Sequence, residues 1–359
     1  MNKYKICVYA ICKNEEKFVE RWVKSMSEAD EIYVLDTGST DNTVSKLKKL
    51  GVNVVSKKIN PWRFDSARNE SLKLVPNDYD ICVCTDLDEV FKPGWRKKLE
   101  EVWDKDTTCL HYDYNWLLDE NGIPKVNFYI GKIHKRNDYE WVYPVHEVLK
   151  YNGENEKVKF TDEITLNHYP DSTKSRGQYL PLLELSVKEN PNDDRNLHYL
   201  GREYMYYGKW NESIDTLIKH LRLPSATWKD ERCASMRFIS RCYKNMERYD
   251  EAEMWLKKAI NEAPHLRDPH VEMALLKYEL QKWNELIYYA NEALKIESHP
   301  KTYINEIFSY DNTLYDLLSL AYYNISDYAK SYENINTALS FNPNDERLIN
   351  NQKIIRKLL

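Results

Sequence analysis

The chain has 359 residues, with 57 Asp or Glu against 52 Lys or Arg and a formal charge of −5. That length predicts about two domains at roughly 150 residues each, and 42% apolar with 30% charged residues excludes wholesale disorder. The apolar run Ile6 to Cys12 falls far short of the ~20 residues of a membrane span and lacks a cleavage-site pattern, so neither a transmembrane segment nor a signal peptide is expected. The charge balance likewise calls for no nucleic-acid partner. Seven cysteines without a C-x-x-C pair argue against a zinc ribbon or a thioredoxin-like site, and read as reduced core residues of a cytoplasmic protein.

In chain order, Lys5 to Ile11 is predicted as a buried strand. Glu15 to Ser27 follows as a helix, with Phe18, Trp22, Val23 and Met26 at helical spacing. Glu31 to Leu35 is a second strand, ended by Asp36-Thr37-Gly38-Ser39. Asp41 to Leu50 is a helix capped by Ser39 or Thr40 and stopped by Gly51. Val52 to Ile59 and Asp80 to Thr85 are further strands around a helix at Ser66 to Val75. Short apolar strands separated by helices imply a parallel sheet with crossover helices. Cys109 to Trp116 and Val126 to Ile133 read as strands added to it.

Near residue 175 the strand signal fades, and repetition begins. Trp210, Tyr249, Trp283 and Tyr328 precede Lys219, Ala259, Ala293 and Ala338 by nine or ten positions, with successive second markers 40, 34 and 45 residues apart. Pro224, Pro264 and Pro343 follow the marker by five, and Ser298 takes that place in the third copy. Each copy reads as the turn and second helix of a tetratricopeptide unit, a repeat of about 34 residues that stacks because no unit buries its apolar face alone. Tyr204, Tyr206, Tyr207, Tyr288, Tyr289, Tyr322 and Tyr323 are read mainly as packing residues, some of them lining an acceptor groove.

The sharpest chemical signal is "YDICVCTDLDEVF", an apolar strand running into Asp86, Asp88 and Glu89. Carboxylates at the carboxyl end of a parallel strand lie where α/β sheets bind ligands. Packed together they repel unless a cation offsets them, and hard oxygen donors suit Mg²⁺ or Mn²⁺, ions that bridge diphosphates. Asp36 ends the second strand on the same rim, placed to accept from a base or a ribose hydroxyl. Asp41 is read as shaping the turn. Arg68 and Asn69 begin the helix after the third strand, where Arg68 can pair with phosphate or with an aspartate.

The blocks "ICKNEEKFVERWVKSM", "IYVLDTGSTDNT", "FDSARNESL" and "CVCTDLDEV", in this order, resemble the family 2 glycosyltransferases of the GT-A fold over roughly residues 3 to 170. Such a domain followed by repeats also resembles the bacterial branch that includes the sublancin-type peptide S-glycosyltransferases. The resemblance implies a Rossmann-like, mostly parallel α/β domain over residues 1–175 and an all-α tetratricopeptide solenoid over 176–359. It implies an inverting transfer from a UDP-sugar that depends on Mn²⁺ or Mg²⁺. Carried over by position, Asp36 meets the uracil, the backbone around Ala10 to Cys12 lines its pocket, and Arg68 lies beside the nucleotide. Asp86 meets the ribose or the metal, and Asp88 binds the metal. "WVYPVHEVL" and "ITLNHYPD" echo two later blocks of the branch, with Pro144 and Pro170 near its usual glycines. On this basis His168 is the third metal ligand, Glu147 the catalytic base, and His146 its neighbour or rival.

The expected acceptor is a peptide or protein held partly by the repeats, which are also suited to forming a homodimer. Two other readings are open: assembly of a surface glycan, and a non-catalytic scaffold in which the repeats do the work. A scaffold should lack the Asp86 and Asp88 carboxylates, which are present.

Overall fold

The computed structural model describes residues 3–171, 173–174 and 177–359. The chain divides into two compact units, residues 1–186 with 301–303, and residues 187–300 with 304–359.

In the first unit the strands β1 (Ile6–Cys12), β2 (Glu31–Asp36), β3 (Asn53–Ser56) and β4 (Ile81–Cys84) alternate with the helices α1 (Val19–Met26), α2 (Thr43–Lys49) and α3 (Phe64–Leu72). Then come β5 (Glu89–Phe91), α4 (Trp95–Val102), β6 (Cys109–Leu118), β7 (Pro124–Lys135), β8 (Tyr139–Val142), β9 (Val148–Tyr151), β10 (Val158–His168) and α5 (Tyr179–Glu189). The main sheet has eight strands in the order β3-β2-β1-β4-β7-β6-β10-β5, and β8 pairs with β9 separately. β3, β2, β1 and β4 are mutually parallel, as are β6 and β10. β7 runs antiparallel to β4 and to β6, and β5 antiparallel to β10.

Period-two alternation explains why β1 and β4 are apolar throughout. Ile6, Val8 and Ala10 join Ile81 and Val83 in a core with Trp22, Met26 and Trp95. Cys7 and Tyr9 join Cys82 and Cys84 on the opposite face with Leu72 and Trp141. All seven cysteines are free and buried, in agreement with their reading as core residues.

The second unit pairs α6 (Asp194–Tyr206) with α7 (Trp210–Arg222), α8 (Lys229–Asn245) with α9 (Tyr249–Glu262), α10 (Asp268–Glu279) with α11 (Trp283–Leu294), and α12 (Thr313–Asn324) with α13 (Tyr328–Phe341). α14 (Glu346–Arg356) follows. Each marker aromatic is the first residue of its second helix, and Ala259, Ala293 and Ala338 are fully buried. Lys219, in the divergent copy, is exposed, and there the close approach is made elsewhere: a Cβ on Gly201 would lie 2.5 Å from Leu217 Cγ. Three pairs share a cross-link twelve residues apart, Ser213 to Gly201 O, Ser240 to Ala252 O and Ser319 to Ser331 O.

Three points differ from the sequence reading. The division falls at 186/187 rather than 175/176, because Tyr179 of α5 stacks on Phe64 and on His146, within the first unit. His168 is the last residue of β10, a strand that the sequence reading did not delimit. α2 starts at Thr43 behind Asn42, since Ser39 Oγ and the Thr40 amide bond to Asn14 instead of capping the helix.

Candidate active site

The chain leaves β1 toward β2 and β3 on one side and places β4 on the other, so the sheet's switch point lies at the carboxyl ends of β1 and β4. The parallel register sets Cys12, Asp36 and Ser56 side by side there. Ala10, expected in the pocket backbone, carries a methyl that is wholly core, and the Cys12 carbonyl accepts from the Thr37 amide and hydroxyl. Asp36 is 3% exposed, and its Oδ1 accepts from the Ser39 amide at 2.9 Å. Burial works to raise its pKa, but bonds from Ser39, Ser56 and Gly38 outweigh this and hold it below the usual range. Asp41 accepts from the Thr43 amide and hydroxyl, closing the turn as expected.

Arg68 is the hub. The helix α3 carries it with only 4% exposure beneath the end of β4. Its Nη2 donates to Asp86 Oδ1 at 3.0 Å and Oδ2 at 3.1 Å, its Nε to Glu147 Oε1 at 2.5 Å, and its Nη1 to Cys84 Sγ at 3.3 Å. The guanidinium lies 5.0 Å from the Trp141 ring centre. Asn69, the next residue, clamps the Trp141 backbone through both its N–H and its carbonyl. Trp141 in turn donates from Nε1 to Tyr9 OH, and Tyr9 is 2.8 Å from His134 Nε2.

Lys132, on β7, is the member of this charged cluster that the sequence reading missed. Its Nζ donates to Asp86 Oδ2 at 3.1 Å and to Glu89 Oε1 at 3.0 Å. Alternation along β7 puts Lys132 on the face opposite the fully buried Ile133, and a lysine inside an apolar strand was the available signal. Burial would raise the Asp86 pKa, yet Arg68 and Lys132 together hold it well below the carboxylate range. Glu89 is 1% exposed, and burial pushes its pKa up. It accepts from Tyr114 OH at 2.7 Å and from the Asp86 amide at 2.8 Å.

Asp88 points elsewhere. The antiparallel pairing of His168 with Glu89 brings the imidazole beside it, with His168 Nε2 3.4 Å from Asp88 Oδ2. His168 Nδ1 lies 3.0 Å from Trp116 O and the ring stacks on Trp116. A carbonyl can only accept, so Nδ1 carries a proton and Nε2 of the neutral ring offers its lone pair toward Asp88. Burial lowers the His168 pKa, and the Asp88 carboxylate more than reverses this. An imidazole nitrogen beside a carboxylate oxygen is a donor pair that could hold a divalent cation, with the nitrogen favouring Mn²⁺ over Mg²⁺. Asp86 is turned away from this pair, with both oxygens committed to Arg68 and Lys132.

The loop bearing His146 and Glu147 is strained. Tyr143 and His146 have φ of +80° and +52° on either side of Pro144, a conformation that costs non-glycine residues about 1–3 kcal/mol. Phe64 N donates to Pro144 O at 2.9 Å, tying the loop to α3. Glu15 approaches the acids from the end of β1: burial pushes its pKa up to about 7 against the pull of Lys174, which bonds Oε1.

Residues 7–162 match the Glycosyl transferase family 2 profile, and residues 238–265 match that of the tetratricopeptide repeat. The first match contains Asp36, Arg68, Asp86, Asp88, Lys132 and Glu147 and stops short of His168. An uncharacterized glycosyltransferase of Rickettsia conorii (strain ATCC VR-613 / Malish 7) is 33% identical over 101 residues, 28% of this chain and 34% of its own length. The chain thus spans about a third of the length of that curated relative. Among solved structures, MamA is similar with a TM-score of 0.39 at 17% identity over 50% of this chain and 99% of MamA. A thermophilic tetratricopeptide-repeat protein from Thermus thermophilus gives 0.36 at 19% identity over 50% and 92%. The chain combines a glycosyltransferase family 2 domain with tetratricopeptide repeats. Among the described residues no helix is long and apolar enough to cross a membrane.

Proposed function

We propose that this protein is a glycosyltransferase that moves a sugar, with inversion, from a UDP-sugar to a peptide or protein acceptor. The observation that carries the reading is the pairing of Asp88 with His168 next to the Asp86–Arg68–Lys132 cluster, at the rim where α/β sheets take nucleotides. Asp36 binds the uracil and Arg68 lies by the nucleotide. Asp86 holds Arg68 and Lys132 in place; for Asp86 also to bind metal, one of these cations would have to release it. Asp88 and His168 hold Mn²⁺ or Mg²⁺, which supplies positive charge against the leaving diphosphate.

The acceptor atom attacks the anomeric carbon as the bond from that carbon to the phosphate oxygen breaks. The acceptor proton passes to Glu147, whose Oε1 is fixed by Arg68 and whose loop is tied to α3. His146 stands beside it as the rival base. The repeats serve the acceptor, for which Tyr206, Tyr288 and Tyr323 are exposed on helices of the second unit and Tyr207 in the turn after α6, whereas Tyr204, Tyr289 and Tyr322 are partly packed. The test is a screen of nucleotide sugars for thermal stabilisation, followed by turnover with Asp88→Asn. Stabilisation by UDP-sugars that needs metal and fails in the variant supports the reading; full turnover in excess chelator overturns it.

A further inference from the structure

The helical unit brings together a group of side chains of metal-ligating type, independent of the catalytic reading. Asp194 in the first turn of α6, His220 in the last turn of α7 and Glu231 in the first turn of α8 each offer a ligand atom, all within 4.8 Å of one another. Each group also suits the dipole of its own helix, acids at the amino end and histidine at the carboxyl end. Helix dipoles do not require the three to meet.

His220 supplies the independent observation. It is fully buried, and its Nε2 has no hydrogen-bond partner although it lies 3.4 Å from Glu231 Oε1. Its Nδ1 is 2.9 Å from Ser235 Oγ, which is itself 2.8 Å from His198 Nδ1. If His220 Nδ1–H donates to Ser235 and the Ser235 hydroxyl donates to His198, both contacts are satisfied, and His220 Nε2 keeps a lone pair inside the cluster. In the reverse arrangement His220 Nε2 carries the proton and faces Glu231 Oε1 at 3.4 Å, while the first leaves the buried His198 Nε2–H without an acceptor, so it is a cation between His220 and Glu231 that would select the first. Burial holds His198 neutral, with its pKa pushed down to about 3. Arg195 and Arg202, cations of the same helix, lie over the Tyr199 ring at 4.8 and 4.6 Å.

We propose that Asp194, His220 and Glu231 bind a divalent transition metal, with Zn²⁺ the expected ion, and so tie three successive helices of the repeat domain together. One imidazole and two carboxylates match zinc, leaving a fourth position for water on the side of the half-buried Asp194. Ser235 is the outer partner that orients the ligating ring.

The full chain, stripped with chelator and dialysed against zinc, would be assayed for bound metal and for melting temperature. The same assay on the Asp88→Asn/His168→Ala double variant removes the donor-site ligands. The expected result is one zinc retained by the double variant, lost on adding Asp194→Asn or Glu231→Gln. Zinc should also raise the melting temperature in a way that Asp194→Asn abolishes. Ser235→Ala should weaken zinc binding about 10–100-fold. No zinc in the double variant, or equal affinity after Asp194→Asn, overturns the proposal. Should Asp194→Asn fail to fold, unchanged affinity in Ser235→Ala overturns it equally.

Discussion

Replacing Asn69 with alanine tests whether α3 holds Arg68 through β8. Asn69 donates from Nδ2 to Trp141 O and accepts from Trp141 N, both at 2.8 Å, and Trp141 is 3% exposed. The alanine leaves two buried backbone groups without partners, at about 1–3 kcal/mol each, so the first unit should lose about 3 kcal/mol. With a melting temperature that moves roughly 2–4 °C per kcal/mol at this domain size, the shift is about 6–12 °C. The Trp141 ring also supports the Arg68 guanidinium, so UDP affinity should fall about tenfold, equivalent to ~1.4 kcal/mol. Urea unfolding followed by Trp fluorescence gives the first number and calorimetric titration of UDP with Mn²⁺ the second. A variant with wild-type stability would refute the clamp. One that is destabilised but binds UDP as wild type would refute the coupling to Arg68.

Three other outcomes are expected. Asp36→Ala should lose most of the stabilisation that UDP confers, which at about 100 times the dissociation constant is ~2.7 kcal/mol in the parent; equal stabilisation would remove Asp36 from the site. Asp88→Asn should remove most transfer activity with an unchanged melting temperature, and chelator should abolish wild-type activity until Mn²⁺ or Mg²⁺ is restored. His134 is fully buried, and burial lowers its pKa from the usual 6.5 to about 4. The unfolded chain therefore takes up that proton first, and stability should fall by about 3 kcal/mol as pH drops from about 6.5 to 4. In His134→Leu this slope should disappear; an identical pH profile would assign the acid sensitivity elsewhere.

Local sequence determined a good part of this protein. Unbroken apolar runs at Ile6 and Ile81 meant strands covered on both faces, and alternation put Cys82 and Cys84 on one side of the sheet. Asp36 closes β2 and Asp86 comes just after β4, so their place at the carboxyl edge of the sheet was legible. The aromatic markers placed the start of every second repeat helix, because the residue that opens that helix and the small residue that lets it pack lie in one short segment. Tertiary structure alone decided which groups meet. Lys132 reaches Asp86 across 46 positions and Arg68 reaches Glu147 across 79, through strand order and helix packing that no local period reports. β5, three residues long and opening on a glutamate, had no strand signal, yet its pairing with β10 sets His168 beside Asp88. Asp194, His220 and Glu231 stand on three helices and show no spacing in common. Periodicity tells which face of an element is buried; cross-strand register and helix stacking, set by packing over the whole domain, decide which charges on those faces come within bonding distance.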